Sequence, residues 1–175
     1  MKNLVLSTTA VIALMGSAAF AQTTSVVPAS TVSLIEVTTD LEAIQNAEAA
    51  EVWVNIDADL ALAIEARFAE RMAAEGAEII IDIDEVSLAT SFEQAIGSEE
   101  SYLQGDILYR VPGPDNNASY TLKVSSLQAQ AFYPDGTSIS DITQGSDIYY
   151  AAMIDAFADN VVRNLDASQE ELATE

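Results

Sequence analysis

The chain is predicted to fold as an α+β domain, a four-stranded mixed sheet with two amphipathic helices packed on one face. Three stretches predict it. Glu51 to Leu88 reads as strand, helix, strand; Tyr102 to Val124 reads as a hairpin; Asp147 to Leu165 repeats apolar residues at helical spacing. A helix buries a stripe and a strand buries alternate residues, so laying both helices over one sheet hides every apolar stripe found.

In the first stretch Val52, Val54 and Ile56 alternate with Trp53, Asn55 and Asp57, the period of two expected of a half-buried strand. Asp59 then stands as a helix N-cap, and Leu60, Ile64, Phe68 and Met72 recur every fourth residue. Gly76 is read as the left-handed residue that closes the helix. Arg67 with Glu70, and Arg71 with Glu75, are expected to pair on the helix surface. Ile79, Ile81 and Ile83 open the second strand, but Val86 and Leu88 fall on its other face, so a bulge is expected near Asp84 and Glu85.

Leu103, Gly105, Ile107, Tyr109 and Val111 share one side of a third strand, with Tyr102, Gln104, Asp106, Leu108 and Arg110 on the other. The Pro112 to Asn117 loop leads to a fourth strand with Tyr120, Leu122 and Val124 facing inward, antiparallel to the third. Leu127 and Ala129 then change phase, read as a second bulge at Ser125 and Ser126. Tyr133-Pro134-Asp135-Gly136 is a turn, and Ser146 caps the last helix. Its inner face is Tyr150, Met153, Ile154, Phe157, Val161 and Leu165, with Asp159 and Arg163 paired outside. Residues 167–175 are read as an acidic, frayed tail.

Ahead of this single domain (51–166), residues 22–50 are read as an extended leader with a surface helix near Asp40 to Glu51. Val32 to Val37 offers an additional edge strand. Residues 1–21 have the layout of a secretory signal peptide. A basic start at Lys2 is followed by an apolar run, then Ala19-Phe20-Ala21 with small residues where the peptidase reads. Export to the periplasm or medium follows, with no transmembrane anchor after cleavage. The strand, helix, three strands, helix order of Val52 to Leu165 resembles small bacterial envelope domains such as the lipopolysaccharide-assembly lipoprotein. That resemblance implies a place in the periplasmic envelope. Those proteins carry a lipidated cysteine after the signal, and this chain has no cysteine.

Six Lys and Arg stand against 28 Asp and Glu, a formal charge of -22, which repels nucleic acid and anionic membranes. Histidine and cysteine are both absent. That removes Ser-His-Asp and Cys-His nucleophiles, haem ligation by His and the usual zinc sites. No Walker A loop, GxGxxG or GxSxG occurs. Carboxylates remain. Asp57 and Asp59 follow the first predicted strand while Asp82 and Asp84 end the second, and at one sheet edge such acids would suit calcium. Neither set matches an EF-hand, and a cap at Asp59 with the other acids simply exposed at strand ends is the commoner arrangement in so acidic a chain. A carboxylate-based hydrolase is the remaining catalytic reading.

The first functional expectation is therefore a non-enzymatic binding or scaffolding protein of the envelope, with no cofactor. Its partner is another envelope protein or a small ligand. It would use the sheet face free of helices, lined by Trp53, Tyr102 and Leu108. Calcium binding through Asp57, Asp59, Asp82 and Asp84 is the alternative.

Overall fold

The computed structural model describes residues 31–39, 53–87, 101–112, 117–138, 142–143 and 146–172. The predicted signal peptide, the surface helix at 40–51 and the connection at 90–100 lie outside these residues. Four strands form one sheet in the order β1 (Val32–Thr39), β2 (Ala77–Ser87), β3 (Tyr102–Arg110) and β4 (Ala118–Ser125). β1 and β2 are parallel; the other two pairings are antiparallel. Helix α1 (Ile56–Phe68) joins β1 to β2 and lies against β1. A short helix α2 (Ser126–Ala129) and a 3₁₀ turn follow β4, and α3 (Asp147–Leu172) packs on α1, β3 and β4. The predicted fold class is the observed one.

The first strand is not where the alternation placed it. Trp53 to Asn55 form a turn, Ile56 already belongs to α1, and the strand parallel to β2 is β1, the edge strand that Val32 to Val37 offered within the stretch read as leader. Trp53, Ile56, Leu60, Ile64 and Phe68 are all buried. Their spacing of three then four is one helical stripe, which wins over three alternating positions because it buries five large side chains. The N-cap is Asn55, not Asp59, and its side chain makes no capping bond. Met72 is exposed.

Gly76 does not close the helix, which ends eight residues earlier. A Cβ at Gly76 would overlap the Thr31 carbonyl oxygen. Glycine is needed there because β1 starts against it, with Ala77 N donating to that same oxygen at 2.8 Å. The expected bulge in β2 is present between Ile83 and Glu85, and it keeps Val86 in the core. The expected bulge at Ser125 is instead a helix start. Ser125 Oγ accepts from Gln128 N while Gln128 Oε1 accepts from Ser125 N at 2.9 Å, a capping box. Gly136 turns with φ 82° after Tyr133 and Pro134, as the turn signature requires.

Ser146 caps α3, its Oγ accepting from Tyr149 N at 3.2 Å. The helix runs on to Leu172, through most of the segment expected to fray. Met153, Ile154, Phe157, Val161 and Leu165 are buried as their spacing predicts. Arg67 and Arg71 reach across to α3. Arg67 reaches Asp155 at 2.9 Å and Arg71 reaches Asp166 at 2.7 Å, stitching the α1 side to α3. Asp159 and Arg163 do pair, at 3.0 Å.

Candidate functional site

All three described helices lie on the side of the sheet to which Ile79, Ile81, Ile83, Leu103, Ile107 and Tyr109 point. Side chains alternate across a strand, so the residues between them face the other way. On that side Glu36, Ile80, Leu108 and Ser119 form one cross-strand row. Thr38, Asp82, Asp106 and Thr121 form the next row. Leu34, 40 % exposed, lies beside the first row. No helix among the described residues covers this face.

Hydrogen bonds and ion pairs order the rim. Thr121 Oγ1 donates to Asp106 and Thr38 Oγ1 to Asp82, the latter at 3.3 Å. Asp82 and Asp106 stand directly opposite each other across β2 and β3, where like charges repel. Burial, then Asp106 and Asp82, push the nearby Asp84 carboxyl above its ordinary range. Arg110 pairs with Glu78 at 3.5 Å, and the Lys123 ammonium sits 3.4 Å over the Tyr102 ring.

Tyr102 and Leu108 therefore lie on the open face, as expected. Trp53 does not. It is 1 % exposed, inside the core, 5.3 Å from the Tyr150 ring in an edge-on contact and 6.4 Å from Tyr149. Once Trp53 precedes a helix rather than sitting in a strand, its side chain falls on the buried stripe.

The four acids proposed for calcium are split. Asp57 and Asp59 stand in the first turn of α1, where Asp57 Oδ1 accepts from Ala58 N and Asp59 accepts from the Tyr150 hydroxyl at 2.7 Å. Asp82 and Asp84 face the opposite side of the sheet, beside Asp106. Among the described residues no group of three or more acids is placed to hold a metal ion.

Tyr109, Tyr120 and Tyr150 are bonded into the protein. Tyr109 donates to the Val161 carbonyl at 2.6 Å and its hydroxyl lies 2.8 Å from that of Tyr120. Burial, then the facing Tyr120, push the Tyr109 hydroxyl far above its ordinary range. Burial raises Tyr120, and burial followed by Asp59 raises Tyr150. The fold thus holds the neutral phenols, while the unfolded chain releases their protons near pH 10. Protons leave the unfolded state first, so this contribution is complete below about pH 10 and is lost as pH rises above it. Urea midpoints measured against pH should fall on the alkaline side, and Tyr109→Phe should flatten that fall.

No family model matches this chain, and no curated protein matches it. Three solved structures match it, each with low identity and a low TM-score. A PelC dodecamer from Paraburkholderia phytofirmans is 12 % identical with a TM-score of 0.38, covering 78 % of this chain and 86 % of that one. A candidate lipoprotein from Caulobacter crescentus is 11 % identical with a TM-score of 0.34, covering 81 % and 92 %. An uncharacterized protein is 6 % identical with a TM-score of 0.34, covering 81 % and 91 %. Likenesses this distant assign no function, and none of the three is named as a lipopolysaccharide-assembly protein.

Proposed function

We propose that this is an exported, non-enzymatic protein of the envelope that works by docking another molecule on the open face of its sheet. The observation that carries the reading is the row Glu36, Ile80, Leu108, Ser119. Two aliphatic side chains lie together on the side away from the helices, with Leu34 exposed beside them. A sheet with one buried and one solvated face ordinarily shows polar residues on the outside. Adjacent aliphatics ringed by charge are the layout of an interface centre and its rim.

Export is supported by the signal-like residues 1–21, and among the described residues no helix is long and apolar enough to cross a membrane. The absence of histidine and cysteine favours binding over catalysis. Calcium binding, by contrast, would show as a melting shift at millimolar calcium that Asp82→Asn abolishes. Docking is tested by asking whether a thiol introduced by Ser119→Cys is shielded in the native envelope while one on the outer side of α1 is not.

A further inference from the structure

We infer that the molecule docking on this face is a lysine- or arginine-bearing segment of a different protein, rather than another part of this chain or a second copy of it. The inference rests on the docking reading above and names the partner's chemistry.

Its first support is the charge of the face. Glu36, Asp82, Asp84 and Asp106 are all exposed there, and two of them oppose each other directly. The two cations on that side are already engaged, Arg110 with Glu78 and Lys123 with Tyr102. Whatever covers these carboxylates without supplying positive charge would have to desolvate them with no counter-charge, only the Thr38 and Thr121 hydroxyls beside Asp82 and Asp106, which is costly.

The second support is an inventory of the whole chain. It has six Lys and Arg and no His. Arg67, Arg71 and Arg163 are paired with Asp155, Asp166 and Asp159 on the helical side. With Arg110 and Lys123 on the sheet, the one cation left is Lys2, in the predicted signal peptide. Residues 22–30, 40–52, 88–100 and 173–175 contain no positive side chain at all. None of these segments therefore has a side chain that could neutralise the face. A second copy offers the same deficit and sets another strongly negative charge against the first.

The third support is the apolar centre. A bare cation would have no use for Ile80 and Leu108. Lysine and arginine stems pack along such aliphatic surface while their heads reach surrounding carboxylates. Nucleic acid and anionic lipid are repelled by the same field.

The test uses the full chain and two synthetic peptides, one alternating lysine with leucine and one alternating glutamate with leucine, with binding followed by calorimetry. The lysine peptide should bind and the glutamate peptide should not. Binding should weaken sharply in high salt, as expected when screening acts within about 8 Å at physiological ionic strength. Asp82→Asn with Asp106→Asn should weaken it about tenfold, whereas Glu65→Gln with Glu70→Gln, the same charge change on the helical side, should leave it within about twofold. Leu108→Ser should also weaken it. Equal loss in both charge pairs, or equal binding of both peptides, overturns the inference, as does absence of lysine-peptide binding. If the peptide fails while position 119 is shielded in the envelope, the docking reading survives and the cationic partner alone is wrong.

Discussion

Replacing Trp53 by alanine is expected to cost about 3–5 kcal/mol of stability, the range for emptying an aromatic site in a packed core. Trp53 is among the largest fully buried side chains, and it fills the space between the start of α1 and the Tyr149 and Tyr150 rings of α3. Losing it leaves a cavity at the junction of the two helices that cover the sheet. Its Nε1 has no hydrogen-bond partner among the described residues, so the ring's contribution is packing rather than polar contact. Trp53→Phe removes that orphaned donor and keeps an aromatic ring, and should cost much less than Trp53→Ala. Urea unfolding followed by circular dichroism measures both. A surface residue reserved for a partner would change stability by no more than about 0.5 kcal/mol. In the unmodified protein the same residue, the sole tryptophan, should emit as a dry indole and shift to the red on unfolding.

Gly105→Val is expected to destabilise by about 1–3 kcal/mol or more, the cost of forcing atoms into a filled core. Gly105 faces inward in β3, paired with Ile83 on one side and Leu122 on the other. A Cβ there would lie 2.6 Å from the Asp82 carbonyl oxygen and 3.1 Å from Ile83 Cδ1. The isoleucine tip can swing away, but the carbonyl is backbone and cannot move without opening the ladder. The bulge between Ile83 and Glu85 sits at this point, so any shift propagates to Val86 and the end of β2. Gly105→Ala should show a smaller loss in the same direction. A thermal melt of both variants that matched the parent would mean that β2 and β3 do not approach as described.

Periodicity in the sequence was enough for α1, β2, β3, β4 and α3, because each repeats its apolar residues often enough to define one face. The β2 bulge was legible for the same reason, since Ile83 and Val86 fall out of phase. Val52, Val54 and Ile56 mimic a strand over too few positions, whereas β1, legible only as an additional edge strand at Val32 to Val37, mixes Leu34 outward with Ile35 and Val37 inward. Its register also slips between Val32 and Leu34, which blurs the alternation. The helix at Ser126 had a readable signal in the Ser125 to Gln128 capping-box spacing, outweighed by the apolar residues after it. Gly76 and Gly105 depend on contacts 45 and 23 positions away in the chain, with Thr31 and Asp82, and no local pattern reports those. For the site, Tyr102 and Leu108 followed from strand alternation alone. Trp53 went wrong with the strand that carried it, and the split of Asp57 and Asp59 from Asp82 and Asp84 is its direct consequence. The apolar pair Ile80 and Leu108 required the register between β2 and β3, which only the structure supplies.

The most direct measurement is maleimide labelling of two single-cysteine variants, which the cysteine-free chain makes clean. Ser119→Cys places a thiol on the open face beside Leu108, and Ala66→Cys places one on the exposed side of α1. In purified protein both should react at similar rates. In the intact envelope of cells that make the protein, labelling at position 119 is expected to slow about tenfold or more, as burial in a specific interface entails, with labelling at position 66 unchanged. Equal reactivity of the two thiols in the envelope would contradict docking on the open face.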